Sequence, residues 1–160
     1  MDAHGDLWPD DPGRIDHGTM MGRAIAEGIV DASKSTQVGI RTYHDSTQGL
    51  DVLTAPFIHR EGIGAAIQRC VDRAGDAPVY LSFDIDALDP AFAPGTGTPV
   101  PGGLASWQAL EFVRGLGALN LIGMDLVEVS PPFDHAEITA IAAAHVAHDW
   151  LCVLAEQMGT

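Results

Sequence analysis

Apolar and polar positions along this chain recur with two periods, helical and alternating, in a sequence of elements that changes from one to the other. From Glu61 to Ala74 the residues Ile63, Ile67, Cys70 and Val71 recur at helical spacing. Ala77 to Phe83 follows as a short apolar run and reads as a buried strand. Gln37 to Arg41 and Leu119 to Val129 read as two further strands. Thr19 to about Asp31 places Met20, Ala24 and Ile25 on one helical face, with Gly28 as a weak point. Ser106 is a good N-cap for a helix carrying Trp107, Leu110 and Val113. A long C-terminal helix starts at Asp134 or Ala136. Residues 42–60 are mixed, reading as a short helix near Leu50 and then an extended Phe57-Ile58. Residues 7–18 form a loop rich in Asp, Pro and Gly. A second loop, 87–105, is stiffened by Pro90, Pro94, Pro99 and Pro101. Helices alternating with strands predict an α/β fold with a mainly parallel sheet covered by helices.

Composition adds bounds to that picture. A chain of 160 residues, 46% of them hydrophobic, predicts one ordered domain over 1–160. Twenty-two acidic residues against 8 basic ones give a formal charge of -14, which disfavours nucleic acid and anionic membranes and favours cationic partners. Cys70 and Cys152 fall in helical patterns and make no disulfide framework. No apolar run approaches the length of a membrane span, and no basic segment precedes an apolar one, so a cytoplasmic location is expected.

Candidate chemistry sits at the strand ends. The apolar run leads into Asp84-Ile-Asp86, whose carboxylates, two apart on a strand, would point the same way. Like charges so placed resist ionising together, and a divalent cation relieves the conflict. Asp2, His4 and Asp6 repeat the same spacing at the N-terminus. Two clusters with five ligands in all suggest a pair of metal ions. Hard oxygen donors with one imidazole suit manganese or magnesium, and the imidazole favours manganese. Taken alone, Asp84 and Asp86 favour a metal role over the alternatives of a solvated turn or a nucleotide-sugar or phosphoryl-transfer Asp-x-Asp. The turn at Pro94 to Pro99 resembles a phosphate-binding loop but lacks the third glycine and a following helix start, which leaves it as the stiff rim of a pocket. Glu128, at the end of the last strand, is the candidate substrate carboxylate, and Asp125 before it is structural. His17 opens a helix, where catalytic and capping roles are both open. His44, His59, His135, His145 and His148 read as surface positions. Met1 directly precedes Asp2, leaving no strand to present the first cluster, so the chain is expected to be N-terminally truncated.

Four motifs carry a resemblance. They are Asp2-Ala-His-Gly-Asp6, Asp16-His-Gly-Thr-Met20, the long segment from Ser82 to Pro99, and Gly123 to Pro131. Together they resemble the ureohydrolases, the family of arginase and agmatinase, and the Asp-His-Gly-Thr-Met form with the proline–glycine loop is most similar to its agmatinase branch. The resemblance implies a three-layer α/β/α fold and a centre of two Mn2+ ions. It implies that Asp2 and Asp84 bridge the ions, that Asp6 completes one, and that His4 and Asp86 complete the other. It further implies hydrolysis of a small guanidino compound to urea, most simply agmatine to putrescine and urea. In that reaction Asp6 would handle protons, Glu128 would hold the guanidinium, and His17 would assist. The family's sixth ligand, a histidine from an earlier glycine-rich segment, has no counterpart in this sequence. Intact members are usually trimers or hexamers, so a homo-oligomer is expected.

Three alternatives stay open. Another guanidino compound, guanidinobutyrate first, is the rival substrate. An inactive fragment or non-catalytic subunit is the rival of a different class. A dehalogenase-type phosphatase built on Asp84 and Asp86 would leave the N-terminal cluster unexplained.

Overall fold

The computed structural model describes residues 1–9 and 16–159, so residues 10–15 of the predicted 7–18 loop lie outside the described residues. The helices are α1 (Met20–Ala26), α2 (Ala55–Glu61), α3 (Ile63–Ala74), α4 (Ser106–Gly115) and α5 (Ile138–Met158). The strands are β1 (Thr36–Ile40), β2 (Asp51–Thr54), β3 (Pro78–Asp84) and β4 (Asn120–Val127). β1 pairs in parallel with β2, and β3 in parallel with β4, whose last paired residues are Asp84 and Val127.

The two pairs are joined by the backbone of Met1 to Ala3. The Met1 ammonium donates to the Ser82 carbonyl at 2.7 Å, and the Asp84 amide donates to the Met1 carbonyl at 2.9 Å. On the other side Asp2 donates to Val38 at 3.0 Å, and Arg41 donates to Ala3 at 3.0 Å. Met1 to Ala3 forms no strand, as expected, but its backbone is bonded to β3 on one side and to β1 and Arg41 on the other, and that holds Asp2 in place.

The core lies where helices cover one face of the β3–β4 pair. Leu81, Phe83 and Leu121 point inward and are buried with Phe112, Val113 and Val146 from α4 and α5. Alternation sends Tyr80 and Ile122 outward, and they are 56% and 64% exposed. α3 packs on β1 and α4, and α4 packs on α5. The predicted α/β class with parallel strands is what the chain adopts.

Several boundaries differ from the sequence reading, each for a local reason. In place of a short helix near Leu50 there is a turn leading into strand β2, and Phe57-Ile58 lie in helix α2. Thr54 caps that helix by accepting from the Phe57 amide, and Pro56 fits its first turn. α1 stops at Ala26, short of Asp31, and Gly28 takes a left-handed φ of 72°. Ser106 lies inside α4; Ala105 holds the cap position, where the Gln108 side chain accepts its amide at 2.9 Å. α5 begins at Ile138 because Ala136 and Glu137 are left-handed, with Asp134 accepting the amides of Thr139 and Ala140 from upstream. β4 ends at Val127, since Glu128 is also left-handed.

The length expectation for membrane spans is corrected as well. α5, at 21 residues, is long and apolar enough to cross a bilayer by length and composition. It is packed on α4, and its buried Asp149 pairs with Arg114 at 2.7 Å.

Candidate metal centre

The parallel strands deliver their C-terminal ends to one edge of the sheet, the usual place for ligands in such folds. Asp2 lies on the segment between the two strand pairs, Asp84 ends β3, and Glu128 follows β4. Asp86 does not sit on the strand beside Asp84, as the alternating pattern predicts. The chain leaves β3 through a 3-10 turn at Ile85–Ala87, and the Asp86 amide donates back to Asp84 Oδ1 at 2.8 Å. That turn carries the Asp86 carboxylate to the N-terminal segment.

There it meets His4 and Asp2. Asp86 Oδ1 accepts the Ala3 amide at 3.0 Å, and Asp86 Oδ2 lies 3.0 Å from His4 Nδ1. His4 Nδ1 is also 3.5 Å from Asp2 Oδ1, which accepts the His4 amide at 2.7 Å. One donor atom each from Asp2, His4 and Asp86 lies within 4.8 Å of the others, a cluster able to hold one ion. Asp84 and Asp6 lie outside that tight cluster but share its field.

The protonation pattern reports how crowded the charge is. Burial, then the charges of Asp86 and Asp2, push Asp84 up to about 8. Burial works to raise Asp86 too, but the bonds from His4 and the Ala3 amide outweigh it and hold Asp86 below the usual carboxylate range. Hydrogen bonds to Asp2 and then Asp86 raise the His4 imidazole to about 10. Burial, followed by the charge of Asp2, raises Asp6 to about 7. Bound protons thus spread the positive charge that these carboxylates demand. Four carboxylates and one imidazole fit a hard divalent cation, because the oxygen donors are many and no thiol is among them.

Asp6 and Glu128 share a backbone feature. Their φ values are 50° and 65°, in the left-handed region that costs a side-chain-bearing residue about 1–3 kcal/mol and clusters at functional sites. Glu128 is exposed, and its Oε2 lies 3.8 Å from where a Cβ on Gly97 would stand. The proline–glycine loop therefore borders Glu128, and the Ser130 amide ties it there by donating to Gly95 at 2.7 Å. Asp125 accepts a bond from Ser82 Oγ at 2.8 Å, away from the cluster. His17 is exposed, in a turn where Asp16 accepts the Gly18 amide; Thr19 is the cap of α1.

Sequence reasoning missed three residues around the cluster. Thr98 Oγ1 donates to Asp86 Oδ2 at 3.2 Å, Gln37 donates to the Gly5 carbonyl at 2.6 Å, and Arg41 binds the Asp86 carbonyl at 2.7 Å. No local pattern marks them, since each acts across a long chain separation; Arg41 alone carried a signal, a cation directly after a buried strand. His44 is not simply a surface residue, because its Nδ1 is buried without a hydrogen-bond partner among the described residues.

Comparison with known proteins gives a consistent answer. The profile of the arginase family matches residues 1–152. An agmatinase of Chromobacterium violaceum is 58% identical over 155 residues, covering 96% of this chain and 48% of the relative. A crystal structure of a hypothetical agmatinase from Burkholderia thailandensis superposes with a TM-score of 0.97 at 55% identity, covering 99% of this chain and 51% of that one. Proclavaminate amidino hydrolase from Streptomyces clavuligerus superposes with a TM-score of 0.91 at 42% identity, covering 95% and 52%. The chain spans about half the length of the relatives it matches.

Proposed function

The chain belongs to the arginase family, and from that premise we propose that it carries the metal-binding half of a hydrolase that releases urea from a small guanidino compound. Agmatine is the proposed substrate, with putrescine as the second product, in keeping with the agmatinases among its relatives. The observation that carries the reading is the cluster of Asp2, His4 and Asp86 at the strand ends, with Glu128 on the same edge.

Two Mn2+ ions are the proposed cofactor, held by Asp2, His4, Asp6, Asp84 and Asp86; when bound they supply a hydroxide nucleophile at neutral pH. The chain's residues do the rest. The guanidinium is planar, cationic and stabilised by resonance, so attack at its carbon needs close orientation. Glu128 accepts charge-assisted bonds from it and turns the carbon toward the cluster. Asp6 takes the proton of the attacking group and passes it to the departing nitrogen. The C–O bond forms, the C–N bond breaks, the amine leaves with that proton, and the carbon remains as urea. His17 shuttles protons at the solvent side.

A second substrate reading is kept because proclavaminate amidino hydrolase and arginase share this fold while differing in name and hence in substrate tail. Guanidinobutyrate is the first alternative. Urea release measured over a panel of guanidino compounds decides: turnover of guanidinobutyrate with agmatine inert would replace the substrate, and no urea from any compound, at any Mn2+ concentration, would favour a non-catalytic chain. An acidic surface, with 22 acids against 8 bases, supports a cationic small molecule over nucleic acid or membrane as partner. The same reading takes the protein to be a cytoplasmic homo-oligomer, a trimer or hexamer, which light scattering tests.

A further inference from the structure

We propose that Arg41 is a positioning residue for the metal centre, tying the turn that carries Asp86 to the loop that carries Thr98. The inference rests on the metal-centre reading above and deepens it.

Arg41 follows β1 and sends a half-buried guanidinium between three segments. Nη2 donates to the carbonyls of Asp86 at 2.7 Å, Leu88 at 3.2 Å and Val100 at 2.6 Å. Nε donates to Val100 at 2.9 Å, and Nη1 to Gly39 at 3.1 Å and Ala87 at 3.4 Å. Every one of these acceptors is a main-chain carbonyl. A cation taken from water needs compensation, and here peptide dipoles give it in place of a carboxylate partner. Only a planar fork with five N–H groups reaches so many carbonyls in fixed directions; a lysine ammonium has three donors at one point.

The loop so held has a second pin. Asp89 Oδ2 accepts the amides of Gly102 at 2.7 Å and Gly103 at 3.0 Å. Gly103 has no room for a side chain, since a Cβ there would stand 2.6 Å from Arg41 Nη2 and 2.5 Å from the Asp89 amide. Upstream of these pins the same loop presents Thr98 Oγ1 to Asp86 Oδ2 at 3.2 Å. Asp86 is thus approached by Ala3, His4 and Thr98 at its carboxylate, while Arg41 grips its carbonyl. Arg41 touches no proposed substrate position. Its effect is on how firmly the Asp86 carboxylate is aimed.

The test uses Arg41→Gln, Arg41→Lys, Thr98→Val and the Arg41→Gln/Thr98→Val double variant, in the protein at the length at which it is expressed. Mn2+ binding is followed by electron paramagnetic resonance titration, with thermal melts in the absence of metal as the control for folding. Each Arg41 variant is expected to weaken Mn2+ binding by about 10- to 100-fold, the usual effect of removing a group that orients a ligand. The double variant is expected to lose less than the product of the single losses, because both act through one loop. A merely structural role would lower the melting temperature and leave the losses independent. Wild-type affinity in either Arg41 variant, or losses that multiply, would overturn the proposal; Arg41→Lys decides alone should Arg41→Gln not fold. A wild-type protein that takes up no Mn2+ would instead refute the metal-centre reading, and the role of Arg41 with it.

Discussion

His4 Nδ1 lies 3.0 Å from Asp86 Oδ2, joining the start of the chain to the turn after β3 through an imidazole and a buried carboxylate. Asp2 first and then this contact raise the imidazole, and the contact lowers the Asp86 carboxyl group, so in this state the pair is an ion pair. A metal ion competing for the same atoms must displace the proton from His4.

Manganese affinity should therefore rise with pH. His4 at about 10, Asp84 at about 8 and Asp6 at about 7 all hold protons that a metal replaces. Calorimetric titration at pH values from about 6 to about 9 is expected to show tightening binding and proton release, the latter from the dependence of the heat on the buffer. Affinity independent of pH across that range would contradict the assignment of these groups as ligands.

Without metal, the same three groups set an opposite trend for stability. Each has a folded-state pKa above its ordinary value, so each contributes stability that is complete below the ordinary value and is lost as pH rises through the raised one. Asp86, held low, acts in the other direction, and its contribution is lost in acid. The melting temperature of metal-free protein should fall between about pH 4 and about pH 10, and added Mn2+ should reverse the fall at the alkaline end. Thermal melts across pH, with and without Mn2+, measure both.

Glu128 invites a test of strain against function. Its φ of 65° suits glycine, so Glu128→Gly should raise stability by about 1 kcal/mol while removing the proposed guanidinium contact. Glu128→Gln should raise KM for a guanidino substrate about tenfold or more and leave the number of bound Mn2+ ions unchanged, as expected for loss of a charge-assisted bond worth about 1.5–3 kcal/mol. Steady-state kinetics with metal analysis separate these outcomes.

Gly103→Ala probes the loop itself. Its new methyl group would meet the Asp89 amide at 2.5 Å and the Leu88 carbonyl carbon at 2.6 Å, and backbone atoms cannot swing aside as a side chain can. Destabilisation of about 1–3 kcal/mol by chemical denaturation is expected.

The regular apolar patterns of α3 and β3 are legible in the sequence itself. The apolar spacing of Ile63, Ile67 and Cys70 located α3, which runs from Ile63 to Ala74, and the run ending at Phe83 located β3. Residues 51–61 were misread because a four-residue strand and a seven-residue helix span only about two periods each, too few repeats to tell one pattern from the other. Thr54 and Pro56 held a usable signal, a cap followed by a proline in the first turn.

Residue chemistry within the chain thus determined the α/β class, the family, and which carboxylates and imidazole could serve a cation, because spacing and donor type are local properties. Tertiary structure alone decided that the backbone of Met1 to Ala3 bonds to both strand pairs and that Asp86 reaches His4 by a turn. It also decided that Arg41 grips carbonyls on both sides of the site. Those relationships depend on hydrogen bonds between distant segments, and their directions exist only once the sheet has brought the segments together.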